Sequence, residues 1–242
     1  MSMNTKKGSL YLIPNNLSDQ PNNALIAPII KEVIQTLKYY LVENVRTSRR
    51  FISSLSLGID ISTLQFEVLN KSSKGRDLTK LFKPIEAGYD LGIQSEAGLP
   101  GIADPGHFAV AYAHQHGIRV IPLPGSSSII LGLISSGFNG QSFTFHGYIP
   151  IDGKDRDMKL SSMEAELRKT GYTQIFMETP FRNNQLVKAA INRLSDPTLL
   201  LLASDITGSN EKIQCQTIGQ WKENPPDLHK IPCIFAIGDS VL

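Results

Sequence analysis

Two cysteines and one tryptophan stand among 242 residues, and the formal net charge is only +2. No apolar stretch approaches the roughly 20 residues of a membrane helix. The opening residues, MSMNTKKGSLYLIP, lack the long apolar region and small-residue cleavage site of an export signal, so a cytoplasmic location is expected. Cys215 and Cys233 lie in separate strand-like segments and read as reduced core residues rather than a disulfide. There is no C-x-x-C pair, and His107, His114, His116, His146 and His229 lack H-E-x-x-H spacing, so no metal centre is expected. A phosphate-binding P-loop is missing too. Where a G-x-G-x-x-G fingerprint would follow the first strand, the chain has Pro14-Asn15-Asn16, which argues against an ordinary dinucleotide-binding domain. No G-x-S-x-G elbow or triad can be nominated, which disfavours an α/β hydrolase.

What is present is an ordinary globular composition, 41% hydrophobic and 19% charged, with room for one large domain or two smaller ones. Strand and helix signals alternate: strands at 9–13, 39–43, 64–69, 91–94, 142–149, 173–177, 198–202, 212–218 and 233–237, with helical spacing at 24–38, 46–57, 77–87, 154–170 and 184–194. Asn70–Arg76 is polar and reads as a loop, a candidate active-site lid. The pattern gives an α/β fold of two domains, an N-terminal one over 1–138 and a smaller C-terminal one over 142–242, joined at Phe138-Asn139-Gly140. Apart from Ser126–Ser128 there is no low-complexity segment.

The richest stretch runs from Asp90 to Gly137. An apolar strand enters a loop with Glu96, Gly98, Pro100, Gly101, Asp104 and Pro105; a helix-like run, a second apolar strand, Pro124-Gly125-Ser126-Ser127-Ser128 and another helix follow. Two successive Gly- and Pro-rich strand-to-helix loops are how open α/β sheets build a ligand crevice. Gly98 and Gly101 permit positive φ or close backbone approach. Glu96 and Asp104 suit ribose hydroxyls or an ammonium group, or equally serve as loop caps. Ser127 and Ser128 open a helix whose N–H groups suit a carboxylate or phosphate.

The order SEAGLPGIADPG, helix, strand, PLPGSSS resembles the SDAGTP-x-x-SDPG … PxPGPSA pair of the tetrapyrrole methylase superfamily, and more closely its ribosomal RNA small-subunit methyltransferase I branch. LYLIP stands where that branch has LYxVATPIGN, and VENVRTSRRFI where it has CEDTRxTxxLL. SFTFHGYIP resembles FxFxGFLP, IFMETPFRN resembles IFYESPHR, and ASDIT takes the place of ARELT. The resemblance covers nearly the whole chain. It implies a tetrapyrrole-methylase-like fold with a ligand cleft between domains, a homodimer, and S-adenosylmethionine as cofactor with S-adenosylhomocysteine as product. By position it carries cofactor contacts to Pro14, Glu96, Ala97, Gly98, Ser127 and Ser128, and further to Met177, Ala203 and Cys233.

The chain also departs from that pattern. TPIGN is replaced by the shorter IPNNLSD, Asp of SDAG by Glu96, Asp of EDTR by Asn44, and the His of YESPHR by Phe181. Glu43 and Arg46 are candidates for orienting substrate, or for a local ion pair; Glu178 is a candidate base, or a cap. Basic groups at Arg46, Arg49 and Arg50, at Lys71, Lys74 and Arg76, and at Lys154, Arg156 and Lys159 suit an RNA backbone or solvated faces. The readings are an RNA methyltransferase of the ribose 2′-O type, a methyltransferase of a small molecule or protein, or a non-catalytic cofactor-binding module.

Overall fold

Strand β1 (Leu10–Leu12) lies between two parallel neighbours, β4 (Leu91–Gln94) and β5 (Val120–Pro122). Beyond β4 come β2 (Tyr39–Val42) and β3 (Gln65–Val68), also parallel, giving the order β3-β2-β4-β1-β5. The structure is a computed structural model and describes residues 7–18, 20, 22–70, 72–73 and 76–239. Lys71, Lys74 and Gly75, within the expected loop Asn70–Arg76, lie outside the described residues.

Chain contacts separate two units, 1–127 and 128–242. The first carries the parallel sheet, whose faces are packed by two apolar clusters. One joins Ile13, Ile30, Ile34 and Tyr40 with Phe51 and Ile52; the other joins Leu10, Leu41, Phe82, Ile85 and Ile93 with Ala109 and Ala113. Helix α1 (Pro28–Thr36) starts at Pro28, whose fixed φ and missing N–H suit a first helical turn. The expected helix over 24–38 is therefore shorter, and Leu25 falls in a separate 3₁₀ turn. Helix α2 (Val45–Ser54) is capped by Asn44, whose side chain accepts from the N–H groups of Arg46 and Thr47. It ends before the expected Leu57 because Ser56 and Gly58 take positive φ. The run 77–87 divides into α3 (Arg76–Leu81) and α4 (Lys83–Glu86), with Pro84 opening the second. Helix α5 (Gly106–Gln115) follows the central loop.

The second unit begins with α6 (Ser128–Ser136). Its sheet is mixed, ordered β6-β7-β10-β8-β9, from β6 (Phe143–Tyr148), β7 (Thr173–Met177), β8 (Leu199–Ser204), β9 (Lys212–Thr217) and β10 (Cys233–Gly238). Only β6 and β7 are parallel in it. The division falls ahead of Phe138-Asn139-Gly140 because α6 packs on β10: a Cβ on Gly132 would stand 3.1 Å from the Ile234 side chain. Helix α7 (Gly153–Thr170) is capped by Asp152 and stopped by Gly171 at φ 69°. It packs with α8 (Asn183–Arg193) over a core of Leu160, Met163, Phe176, Leu186 and Phe235. A short α9 (Ile218–Glu223), not expected from the sequence, opens on a Thr217/Gln220 capping box and buries Trp221, whose indole donates to the Leu200 carbonyl at 3.0 Å. Cys215 corrects its expectation: it is free but exposed on edge strand β9, whereas Cys233 is free and buried.

Candidate functional site

The connection from β1 crosses to β2 on one side, and that from β4 crosses to β5 on the other. Opposed crossovers leave a crevice at the strand C-termini, where the loops diverge. In this chain the loops after β1 and β4 are tied together by Asn15. Its N–H donates to the Gly98 carbonyl at 2.9 Å, and its side-chain Nδ2 donates to the Ser95 and Glu96 carbonyls, each at 3.1 Å. The Asn15 oxygen accepts from the Asn16 N–H at 2.8 Å. Every hydrogen-bonding group of this 4%-exposed side chain that can act across the gap is therefore committed.

Gly125 and Gly98 serve loop packing, whereas Gly101 is set by its positive φ of 94° with open space around it. A Cβ on Gly125 would fall 2.2 Å from Cβ of Pro14, so the loop after β5 lies directly on buried Pro14. Gly98 takes φ 66°, and a Cβ there would meet Leu17 at 3.0 Å and the Ser126 carbonyl at 3.4 Å. Asp104 is a loop brace: its carboxylate accepts from the N–H groups of Gly101 and Gly106, with a shortest distance of 2.6 Å. Burial raises its pKa above the usual carboxylate value despite those bonds.

Glu96 differs. Its carboxylate is exposed, with Oε1 accepting from Asn44 Nδ2 at 2.9 Å, while its N–H donates to Glu43 Oε2 at 3.2 Å. The loop after β2 is thereby joined to the loop after β4. A cavity of about 620 Å3 opens beside them, lined by Asn15, Asn16, Glu96 and Ala97 and by Thr47, Arg49 and Arg50 of α2. Gln94, the last residue of β4, is 2% exposed and neither amide atom has a hydrogen-bond partner. Pro14, Glu96, Ala97 and Gly98 thus gather at one end of the first sheet, with Glu43 and the exposed Arg46 beside them. Ser127 is buried in the loop after β5, and Ser128 is the first residue of α6.

In the second unit, Met177 and Ala203 both pair with Ile234, which follows Cys233, so these three positions share one end of adjacent strands β7, β10 and β8. The Met177 carbonyl accepts from the Ile149 N–H at 3.2 Å. Burial pushes the Cys233 thiol well above its ordinary pKa, so it stays protonated. Glu178 is buried, its Oε1 accepting from the Thr179 N–H and from the Arg182 guanidinium. Among the described residues no His, Cys, Asp and Glu cluster could hold a metal ion, and no helix is long and apolar enough to cross a membrane.

Sequence reasoning did not single out Asn15 as the tie between the loops, nor Gln94. The signal for the first was the Pro14-Asn15-Asn16 turn directly after a buried strand.

The chain is 30% identical over 226 residues to the ribosomal RNA small subunit methyltransferase I of Synechocystis sp., spanning 90% of this chain and 76% of the relative. The protein of that name from Vibrio cholerae is 30% identical over 208 residues, spanning 85% of this chain and 67% of its own. The chain belongs to the ribosomal RNA small subunit methyltransferase I family. It is a methyltransferase of the tetrapyrrole methylase superfamily. No profile of a known protein family matches it. The fold agrees with this membership: the methyltransferase CobJ superposes with a TM-score of 0.62 at 12% identity, covering 96% of this chain and 94% of that one. Uroporphyrin-III-C-methyltransferase from Thermus thermophilus superposes at 0.56 with 14% identity, again covering 96% of this chain and 94% of that one.

Proposed function

We propose that the protein methylates RNA of the small ribosomal subunit at a ribose 2′-hydroxyl, with S-adenosylmethionine as donor. The observation that carries this reading is the cavity beside β1, β2 and β4, which combines the exposed Glu96 carboxylate with Arg49 and Arg50. The lining thus holds an acceptor for hydroxyls and two cations for phosphates, as a nucleoside donor and a polyanionic acceptor require.

The residues present fit the donor. Glu96 offers an oxygen to ribose hydroxyls, and Ala97 and Gly98 offer backbone groups where Gly98 leaves no side chain. Unpartnered, buried Gln94 ends the strand that leads into the same loop. Pro14 supports Gly125 from below, and Ser127 and Ser128 lead into α6. For Met177, Ala203 and Cys233 the resemblance alone supports a role, and Cys233 would act through its backbone. When bound, S-adenosylmethionine supplies a methyl group already activated on sulfonium. The protein's contribution is then to orient the acceptor and exclude water. Arg49 and Arg50, with Arg46, hold phosphates, and Glu43 fixes the Glu96 loop through the Glu96 N–H. Glu178 acts as a brace for Arg182 rather than as a base, because its buried side chain already accepts at Oε1 from Thr179 and Arg182. The family relationship supports a cytoplasmic homodimer, which sedimentation of the purified protein tests.

Calorimetric titration with S-adenosylmethionine and S-adenosylhomocysteine tests the donor. Micromolar binding by the wild-type protein, weakened at least tenfold in a folded Glu96→Ala variant, is expected. Equal affinity in the variant would remove Glu96 from the donor site.

A further inference from the structure

Helices α7 and α8 of the second unit border a groove of about 450 Å3. Three cations line it, Arg156, Lys188 and Arg193, with the amides of Gln185 and Asn192 and a single carboxylate, Asp157. Its lining carries a formal charge of +2. Neighbouring arginines are paired: Arg168 of α7 with Glu164, and Arg182, just ahead of α8, with Glu178. Among the described residues none of the three groove cations forms an ion pair. The Nε of Arg156 is buried with no hydrogen-bond partner, a cost that a bound anion would relieve. Arg193 is aimed by a 2.6 Å bond from its Nε to Ser161 Oγ, which also staples α8 to α7.

Gln185, Lys188 and Asn192 stand at i, i+3 and i+7, so one exposed face of α8 presents amide donors and a cation in a row. A line of mixed amides and cations matches the repeated oxygens of a phosphodiester chain, where most contacts go to the backbone. A membrane surface would ask for apolar side chains to insert beside the charges. Ala189 is the lone apolar residue of the lining.

We propose that the α7–α8 groove binds the phosphate backbone of RNA, as a positioning surface built wholly from second-unit residues. The proposal rests on the reading of the protein as an RNA methyltransferase. It gives Arg156 a function that the 154–159 basic run alone did not define, since Lys159 of that run is engaged with His146.

The test uses the full chain and a labelled single-stranded RNA oligonucleotide of mixed sequence, followed by fluorescence anisotropy over a salt series. The double variant Arg156→Gln/Lys188→Gln leaves the Arg193–Ser161 staple intact. It is expected to bind the RNA about 5- to 10-fold more weakly at moderate salt, with the slope of log K against log[salt] reduced by about 1.4, as two lost contacts to a single strand require. Its melting temperature and its S-adenosylmethionine affinity are expected to match wild type, and Arg156→Lys/Lys188→Arg is expected to restore RNA binding. If wild type binds and methylates RNA while the double variant binds it equally well with the same slope, the groove assignment is overturned and the functional reading stands. If wild type binds S-adenosylmethionine but no RNA, both are overturned. Preferential binding to vesicles containing anionic lipid, lost in the double variant, would replace RNA by a membrane as the partner.

Discussion

Asn44 donates through Nδ2 to Glu96 Oε1 at 2.9 Å, and both positions are ones where the chain departs from the family pattern it resembles. The pattern has Asp at each place. An Asp at 44 would set a second carboxylate against Glu96, whereas Asn supplies a donor and keeps the oxygen that caps α2. The Asn44 side chain therefore serves both contacts at once. It fixes the longer Glu96 side chain by tying it to a helix cap.

This coupling predicts an asymmetric response at position 44. Asn44→Ala loses the cap and lowers stability by about 1 kcal/mol. Asn44→Asp keeps the cap and hence most of the stability, but repels Glu96 and weakens S-adenosylmethionine binding severalfold. Chemical denaturation and calorimetry on both variants separate the effects, and equal donor affinity in Asn44→Asp would mean the pair is incidental.

Asn15 is predicted to matter for both folding and binding. Asn15→Ala strands the Ser95 carbonyl in a buried place and unpairs the part-buried Glu96 carbonyl and Asn16 N–H, a loss of about 1–3 kcal/mol by the usual cost of an unsatisfied buried group. Urea unfolding reads that loss directly. A change below about 0.5 kcal/mol would show that water replaces the side chain without penalty.

The glycines rank by what a Cβ would strike. At Gly125 it would overlap the Pro14 ring, which cannot yield without moving the loop after β1. At Gly98 it would meet the flexible end of Leu17, so the cost is mainly that of positive φ, about 1–2 kcal/mol. Gly125→Ala should therefore abolish donor binding in a folded protein, while Gly98→Ala weakens it. The reverse order in a titration would contradict this packing of the loops.

His146 sets a pH response in the second unit. Its Nε2 lies 2.7 Å from Gln174 Oε1, and Lys159 Nζ lies 2.9 Å from its Nδ1, a network that suits the neutral ring with the proton on Nε2. Burial lowers its pKa below 6.5, and the Lys159 charge adds to that against the opposing Gln174 bond. Above pH 6.5 neither state holds the proton, so stability is full. As pH falls below 6.5 the unfolded chain protonates first and stability declines, until the native ring also protonates. His146→Gln should flatten this decline. Glu164 gives a separate acid limb: burial raises its carboxyl, but the bonds from Thr198 and Ser195 and the Arg168 charge outweigh that. Its pKa is thus held below 4.5, and its stabilisation is lost as pH falls through the lowered value. Denaturation midpoints of His146→Gln that still decline between pH 6.5 and 5 would assign the first limb elsewhere.

Much of this architecture was legible in the sequence, because buried parallel strands read as short apolar runs bounded by Gly and Pro. The runs at Leu91–Gln94 and Thr173–Met177 appear with the expected bounds. Legibility failed where tertiary packing or a short cap decided the outcome. Pro84 splits α3 from α4 although the apolar spacing continues. The Thr217/Gln220 box that opens α9 was present in the sequence but hidden behind a strand pattern. Cys215 lies outside the core because β9 is an edge strand, which alternation alone does not reveal. At the candidate site the loops and their glycines were readable. Their contacts were not: that Gly125 lies on Pro14, or that Asn44 reaches Glu96, depends on strand order, which places β4 beside both β1 and β2.

The most direct measurement is transfer of labelled methyl from S-adenosylmethionine to small-subunit ribosomal RNA by the purified protein, followed by nucleoside analysis. Label on a ribose 2′-oxygen, absent with Gly125→Ala, is the result this account predicts. Donor binding with no label entering RNA, while a protein or small molecule accepts it, would contradict the account.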